Sequence, residues 1–278
     1  MKHVNPSFSI QAPKINFGAA QLFAEAGPTG VSLVVLDTDN YFKAVVTYAL
    51  ATGLNDNELT EKLKEIFKSE NLLQKQYHKT HIFWSFPESI LVPAELMNAD
   101  RNLNMLNLVF GDAKQGIIRS DFLYKHNLHN VYRIPEAVID TFSTYLPVAT
   151  QTHLFSTIVN RNLPQGNHLF TVFYSNSITI MLSREGKLQV VQNFIYNNPA
   201  DCVFHLLNVC KGFDVDPDSA ILHINGMIDV KSGLYEAIYK YFLNIAFDTL
   251  PEGYTYHETI KVHPQHFFSH LFGLASCV

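Results

Sequence analysis

Cysteine is scarce in this chain of 278 residues, which contains only Cys202, Cys210 and Cys277. Three cysteines without a CxxC spacing are too few for a disulfide framework or for the common cysteine-based metal and redox motifs. The sequence therefore indicates a reducing compartment. Cys202 and Cys210 fall on or beside the apolar stripe of a predicted helix, where we interpret them as core residues.

Positive charge is sparse as well. The chain has 20 Lys and Arg against 25 Asp and Glu, which gives a net charge of -5. The basic residues are spread thinly, whereas binding to a phosphate backbone needs a basic stripe. We therefore do not expect a nucleic acid as the partner.

Long apolar runs are also lacking. No stretch approaches the roughly 18 to 20 consecutive apolar residues that a transmembrane helix needs. The first twenty residues lack the continuous apolar segment of a signal peptide. We expect a cytoplasmic protein that does not insert into a membrane.

The apolar content is nevertheless high, at 47% of the residues, which is enough to fill a large core. The length exceeds the usual range for one domain, about 100 to 200 residues. Polar and chain-breaking residues cluster at 160–168. The sequence therefore predicts two lobes, residues 1–163 and 164–278.

Each predicted lobe begins with a meander of three strands. β-Branched and aromatic residues fill 21–49 and 168–194, and turn-forming residues interrupt both runs. The segments that match are Gln21–Phe23 with His168–Phe170, Val31–Val35 with Ser177–Met181, and Val45–Val46 with Val190–Val191.

Helices and further strands follow each meander. In the second lobe, the pattern predicts a helix at 199–212, a strand at 220–224, a helix at 232–247, a strand at 254–262 and a helix from Pro264 onward. In the first lobe, it predicts a helix near 58–68, strands at 81–86 and 89–92, a short helix at 94–97, a hairpin at 116–134 and a helix at 135–146. The order βββαβαβα favours an α/β fold with a mixed sheet.

Two lobes of this order resemble the duplicated RNase H-like plan of the actin, hexokinase and Hsp70 superfamily. The resemblance implies a mixed five-stranded sheet with helices in each lobe. "LFAEAGPTGVSLVVLD" resembles the first phosphate segment of that superfamily, with Glu25 at its acid, Gly27 at its first glycine and Thr29 at its threonine. Glycine allows close approach of a phosphate, and a carboxylate can hold hydrated Mg²⁺. Pro28 departs from the pattern because it lacks an N–H donor.

The other nucleotide segments depart further from the superfamily. The second phosphate turn, residues 172–177, has neither a carboxylate nor a glycine, and Tyr174 would crowd a phosphate. The segment "LHINGMI", at the adenosine position, keeps Gly226 where the superfamily has a glycine pair. These losses favour a protein without catalytic residues or a cofactor.

A second resemblance is to an uncharacterised family, Domain of Unknown Function 3822, which is common in Bacteroidetes. It rests on "QNFIYNNPADCVFHLLNV", "LHINGMI", "SGLYEAIYKYF", "HPQHFFSHLFGLASC" and "LVPAEL". This resemblance implies an actin-like architecture and no assigned activity.

Histidines form another pattern. His263, His266 and His270 lie at i, i+3 and i+7, so a helix from Pro264 would direct all three to one side. Histidines that bind a metal from one helix are arranged in this way. No HExxH or zinc-finger spacing accompanies them. A metal-dependent hydrolase built on these histidines is therefore kept only as a third hypothesis.

Our leading hypothesis is a non-catalytic scaffold or adaptor of actin-like fold that binds another protein. The alternative is an actin-like ATPase or a small-molecule kinase that binds ATP and Mg²⁺ in the cleft between the lobes. In that alternative, Glu25, Gly27 and Thr29 would contact phosphate and metal, and Gly226 would meet the base.

Overall fold

The structure is a computed structural model that describes residues 4–111 and 116–277. The chain forms two compact units. One consists of Met1–Asn160 with Tyr254–Ile260, and the other of Arg161–Gly253 with Lys261–Val278.

The N-terminal unit is built on a seven-stranded sheet of order β1-β4-β3-β2-β5-β9, with β15 also paired to β4. β2, β3 and β4 form an antiparallel meander, and β5 and β9 continue the sheet in parallel to β2. A second sheet has the order β6-β8-β7. The elements are β1 (Phe8–Gln11), β2 (Gln21–Gly27), β3 (Gly30–Asp37), β4 (Tyr41–Ala49), α1 (Asp56–Ser69), β5 (Lys79–Trp84), β6 (Ser89–Pro93), α2 (Asn102–Phe110), β7 (Ile117–Leu123), β8 (Leu128–Ile134), α3 (Glu136–Tyr145), β9 (Thr150–His153), α4 (Leu154–Val159) and, from the end of the chain, β15 (Thr255–Tyr256).

The C-terminal unit contains a five-stranded sheet of order β12-β11-β10-β13-β14. β10, β11 and β12 are antiparallel, whereas β13 and β14 run parallel to β10. Its elements are β10 (Asn167–Phe173), β11 (Ser177–Arg184), β12 (Lys187–Ile195), α5 (Pro199–Gly212), β13 (Ile221–Gly226), α6 (Gly233–Tyr239), β14 (Asn244–Phe247) and α8 (Ser269–Gly273); α7 (Glu258–Lys261) spans the boundary of the two units.

The two units repeat one topology. The run β4-β3-β2-β5-β9 has the same strand order and directions as β12-β11-β10-β13-β14. Phe23 lies opposite His81, and Phe170 lies opposite His223. In both pairs the rings stack, with centroids 5.2 Å and 4.4 Å apart. The predicted pair of meanders and the RNase H-like plan are therefore confirmed.

The sheet of the N-terminal unit has seven strands rather than the five expected. The two additional strands both pair with β4, which would otherwise be an open edge. β1 pairs along Ala44–Thr47, and β15 pairs with Tyr41 and Phe42. Backbone pairing of an exposed edge explains why two short segments from distant parts of the chain join this sheet.

Amphipathic helices cover one face of each sheet. In α1, the predicted stripe Leu59, Leu63, Ile66 and Phe67 is buried. Trp84 is fully buried in the same core, and its ring packs edge-on against Phe142 at 4.9 Å. Trp84, the only tryptophan of the sequence, is therefore a core residue of the N-terminal unit.

Helical spacing predicts an apolar stripe of Ala200, Val203, Leu207 and Cys210 on α5, and the buried face differs slightly from it. Ala200 is exposed and Leu207 is half-buried, while Leu206 and Val209 join the core. Cys202 and Cys210 are buried as expected. Burial raises the pKa of the Cys202 thiol to about 12 and that of Cys210 to about 11, which makes both poor nucleophiles.

Three elements in the last third of the chain were predicted wrongly. The predicted helix 232–247 ends at Tyr239, and residues 244–247 form β14 beside β13. The predicted strand 254–262 is β15 followed by α7. The predicted helix from Pro264 is a 3₁₀ turn at Gln265–Phe267 and then α8. Residues 244–247 fit either period, and pairing with β13 decides between them.

Two differences also occur in the N-terminal unit. The predicted helix at 94–97 is a 3₁₀ turn, Ala94–Leu96. In contrast, the sequence between 97 and 116 is rich in asparagine and predicts no helix or strand, yet it contains α2. Three asparagines obscured its apolar spacing, although Leu106 anchors it against Val92 and Val131.

A polar cluster in the N-terminal unit is centred on the half-buried Asp121 of β7. Its carboxylate accepts hydrogen bonds from Tyr132 (3.1 Å), Thr152 (2.8 Å) and Ser156 (2.7 Å), and from the backbone N–H of His153 (2.8 Å). These contacts join β7 to β8, β9 and α4. Charge-assisted hydrogen bonds of this kind stabilise a carboxylate that is partly removed from water.

His153 is fully buried beside this carboxylate. Its Nε2–H donates to the carbonyl of Phe86 (2.9 Å), and its Nδ1 accepts from the N–H of Phe155 (3.1 Å). These partners fix one neutral tautomer. Burial lowers the pKa of His153 to about 4.

This geometry predicts a pH-dependent stability. Because the folded-state pKa of about 4 is below the unfolded value of about 6.5, the unfolded chain binds more protons between these pH values. The free energy of unfolding should therefore fall as the pH drops from about 6.5, by up to about 1.4 kcal/mol per pH unit. His153→Gln, which retains a donor and an acceptor, should reduce this slope in urea unfolding measured at several pH values.

His78→Gln is the matched control because His78 is exposed. This variant should keep the wild-type slope. Equal slopes for His153→Gln and the wild-type protein would contradict the prediction.

Candidate functional site

The first strand of each meander ends in a tight turn, where the resemblance places phosphate. The turns are Gly27–Gly30 and Tyr174–Ser177. Counting from the equivalent pairs Phe23–His81 and Phe170–His223, Tyr174 occupies the position of Gly27. By the same count, Val172 occupies the position of Glu25.

The first turn brings Glu25, Gly27 and Thr29 together at the end of β2. Glu25 is buried and lies on the sheet face opposite Ala24 and Ala26, which belong to the core under α1 and α3. A Cβ on Gly27 would come within 2.4 Å of the Ser85 hydroxyl oxygen, so close packing against the chain after β5 accounts for this glycine. The carbonyl of Thr29 accepts from the N–H of Leu50 (2.9 Å).

The second turn is held by Tyr196. Its hydroxyl donates to the carbonyl of Tyr174 (2.6 Å), and its backbone N–H donates to the carbonyl of Asn176 (3.1 Å). The N–H of Tyr174 donates across the turn to the carbonyl of Ser177 (2.9 Å). Burial raises the pKa of Tyr196 to about 12, so this hydroxyl remains a donor. In this closed hairpin, the N–H of Tyr174 and the carbonyls of Tyr174, Asn176 and Ser177 are all hydrogen-bonded within the fold.

The backbone conformation and packing at position 226 explain why this residue is glycine. It lies at the end of β13 with φ of +89°, a region that L side chains rarely adopt. A Cβ at this position would lie 2.1 Å from the carbonyl oxygen of Phe173 and 2.7 Å from its nitrogen. The close approach of β13 to β10 therefore requires glycine whether or not a ligand binds.

A polar cluster that the sequence analysis did not identify lies beside Gly226. The Asn225 amide donates to Asp248, and its Oδ1 accepts from the Ser269 hydroxyl and from the N–H of His270 (3.0 Å). The ring of His270 packs edge-on against Tyr174, with centroids 5.9 Å apart. Burial lowers the pKa of His270 to about 3, so it is neutral near pH 7.

This cluster occupies an informative place in the sheet. Strand order reverses between β10 and β13, and ligands of open α/β folds bind outside the carboxyl ends of the strands at such a point. Here Tyr174, Gly226 and the segment anchored on Asn225 lie at these ends. Polar residues at 223 and 225 of an otherwise apolar strand, and Asp248 directly after β14, were the available sequence signals.

A histidine pair extends the cluster along the same face. His168 Nε2–H donates to the carbonyl of Gln165 (2.8 Å), so its Nδ1 accepts from His223 Nε2–H (2.9 Å). His223 Nδ1 lies 3.8 Å from an Asp248 oxygen. The pair links β10 to β13 through side chains and continues to Asp248 after β14.

The three histidines considered as metal ligands have separate surroundings. The interruption near Phe268 (φ −129°) divides the segment, so the predicted common helical face does not exist. His266 is buried and its Nε2–H donates to the carbonyl of Ile228 (2.9 Å). His270 packs against Tyr174, and His263 packs against Phe268. Within 4–111 and 116–277, no group of three or more potential metal ligands is found.

Comparison with known protein families identifies the family of this chain. Residues 14–245 match the family described as "Protein of unknown function (DUF3822)". The chain belongs to this family. The resemblance inferred from the sequence is thus confirmed, and it assigns no activity. A search of curated proteins gives no match.

Solved structures confirm the actin-like fold of this DUF3822 protein. A Bacteroides thetaiotaomicron protein with an actin-like ATPase fold and unknown function is similar, with a TM-score of 0.74, 17% identity, and coverage of 95% of this chain and 100% of that one. A chain of the PilM-PilN type IV pilus biogenesis complex has a TM-score of 0.59, 12% identity, and coverage of 92% and 97%. The cytoplasmic domain of EpsL, an inner membrane component of the Vibrio cholerae type II secretion system, gives a TM-score of 0.45, 11% identity, and coverage of 92% and 96%. In the part of the DUF3822 protein that the structure describes, no helix is long and apolar enough to cross a bilayer.

A pair of glycine variants tests the structural account of Gly226. Gly253 also has positive φ, +82°, but a Cβ there would meet nothing within 4 Å. Gly253→Ala should cost about 1 to 2 kcal/mol of unfolding free energy from backbone strain alone. Gly226→Ala should cost clearly more, because the added methyl also collides with Phe173. Urea unfolding measures both values, and equal losses would contradict the account.

Proposed function

We propose that the protein is a non-catalytic, cytoplasmic scaffold or adaptor of actin-like fold that binds another protein. The observation that carries this proposal is the second turn. Tyr174 stands at the position of Gly27, Val172 stands at the position of Glu25, and Tyr196 bonds to both sides of the turn.

A phosphate site in such a turn needs backbone N–H groups that converge on an open space. In the second turn, the Tyr174 N–H is bonded to Ser177, and the Tyr174 ring lies against His270. A large side chain replaces the glycine that would admit the phosphate, and valine replaces a carboxylate that could hold Mg²⁺. These features argue against the chemistry of an ATPase at this turn.

The surroundings of Gly226 support the same view. This glycine satisfies the packing of β13 on β10, so it is not evidence of a base-binding site. A Gly226→Val substitution cannot test base binding, because the added side chain would collide with Phe173. Ser269 and His270 both hydrogen-bond to Asn225, so the C-terminal segment of the chain lies against the carboxyl end of β13.

The choice of a protein as partner rests on α2. No residue of α2 is charged, and its inner side packs through Leu106 against Val92 and Val131. On its outer side, Leu108 is 88% exposed and Val109 is 59% exposed. Exposed apolar side chains that lie together are typical of protein-binding surfaces. The PilM-PilN chain, which is similar in fold, is part of a type IV pilus biogenesis complex.

The alternative is an actin-like ATPase or a small-molecule kinase that binds ATP and Mg²⁺. It is favoured by one observation: Glu25 and Gly27 lie at the end of β2, and Thr29 lies in the turn that follows. In this alternative, the N-terminal unit supplies the phosphate and metal contacts.

Thermal unfolding with Mg-ATP separates the two proposals. A scaffold without a nucleotide site should show no shift of Tm at millimolar Mg-ATP. A ligand at 100 times its Kd would add about 2.7 kcal/mol and a clear shift. If a shift occurs and Thr29→Ala abolishes it, the ATP-binding alternative replaces the scaffold.

Substitution on α2 tests the protein-binding surface. Leu108→Glu should sharply reduce recovery of a specific partner from lysate of the native organism, quantified by mass spectrometry, because it places a charge in an apolar contact. Val148→Glu is the control, since Val148 is 90% exposed and lies outside α2. Equal recovery with both variants would contradict a binding role for α2.

A further inference from the structure

The outermost strand β12 is an unusual edge. Natural proteins keep edge strands short or place charges and prolines on them. β14, at the other edge of the same sheet, has four residues, whereas β12 has nine. Residues 188–195 contain neither a charged residue nor proline. A register shift near Leu182 interrupts the first part of β12, and pairing is regular from Val190 to Ile195.

The backbone of this edge is oriented for pairing. The N–H of Tyr196 donates toward β11, to Asn176. In an antiparallel ladder the direction alternates, so Val191 and Asn193 direct their N–H and C=O groups away from β11. Another strand could bond to these groups without disturbing the sheet.

Apolar and aromatic side chains flank the same edge. Ile195 is 51% exposed at the end of β12, and Phe204 is 63% exposed on α5. His205 stacks on Phe194 with centroids 4.7 Å apart, contacts the ring of Phe204 at 5.6 Å, and its Nε2–H donates to the Ile195 carbonyl (3.1 Å). These residues place an aromatic surface beside the end of the strand.

The two ends of β12 differ in charge. Exposed Lys187 begins the strand. At the other end, the Asp201 carboxylate accepts from the Asn197 N–H (2.9 Å), and Asp201 lies one turn of α5 before His205, whose ring stacks on Phe194. A lysine is attracted both by a carboxylate and by aromatic rings. An antiparallel arrangement of two identical edges brings each Lys187 end to an Asp201 end.

We propose that β12 pairs antiparallel with β12 of a second copy of this chain. A two-fold axis near the middle of the strand joins two five-stranded sheets into one continuous sheet. Each Lys187 then faces Asp201 and the Phe194–His205 ring pair of the other copy. A second copy is the occupant because the edge is complementary to itself in charge and in backbone geometry.

Sedimentation equilibrium of the full chain tests the proposal. The wild-type protein should show a concentration-dependent species of twice 31.5 kDa. Lys187→Glu should raise the dimer Kd about tenfold or more, because it opposes Asp201 at two symmetric positions. Ile195→Glu should have at least as large an effect. Lys240→Glu and Leu243→Glu are the matched controls at exposed sites and should leave Kd unchanged.

Hydrogen exchange gives a readout that does not depend on any variant. Amides of residues 188–195 should exchange more slowly at dimeric than at monomeric concentrations. A wild-type protein that stays monomeric, or a dimer that neither edge variant weakens, would overturn the proposal. Exchange at 188–195 that is independent of concentration would also overturn it.

Discussion

Each unit depends on the parallel pairing of the first strand of its meander with the strand that follows the next helix, β2 with β5 and β10 with β13. This pairing follows a helical crossover and therefore closes a long loop, whereas the hairpins of the meander form locally. It also creates the point at which strand order reverses. The stacked pairs Phe23–His81 and Phe170–His223 lie on these strands, so the same contact is made in both halves.

The carboxyl ends of these paired strands have diverged in the two halves. In the N-terminal unit, Gly27 allows Ser85 to approach closely, and the large residue Trp84 is in the core. In the C-terminal unit, the positions are changed: Tyr174 replaces the glycine, and Gly226 replaces the tryptophan. The paired strands thus approach closely in both units, at Gly27 in one and at Gly226 in the other. The close approach of neighbouring strands is therefore sufficient to explain both glycines, and neither is by itself evidence of a ligand.

Much of the fold could be predicted from the sequence because periodicity is a local signal. The meanders, α1 and α5 were predicted from alternation and from the helical spacing of residues such as Leu59 and Leu63. The failures occurred where tertiary pairing decides the structure. Residues 244–247 can be helix or strand, and the edge of β13 selects strand. α2 was missed because its asparagines hide its one deeply buried leucine, Leu106.

Of the candidate site, the sequence indicated which residue types were absent, but not the contacts that the residues in their place would make. Tyr174 was identified as an obstacle to phosphate, whereas its bond to Tyr196 joins residues 22 positions apart. The cluster of Asn225, Asp248 and Ser269 could not be found by spacing, since it joins three segments of the chain. Single polar residues in buried strands have many explanations until their partners are known.

Asn225 shows how such a cluster keeps its shape without a ligand. Its amide has a carboxylate acceptor, and its carbonyl oxygen has two donors, so both functional ends of the side chain are satisfied. A buried polar group that has partners within the fold carries no penalty that a ligand must relieve. The C-terminal segment around Ser269 and His270 supplies these partners. The strand end at Asn225 is therefore held in place by hydrogen bonds that the chain itself provides.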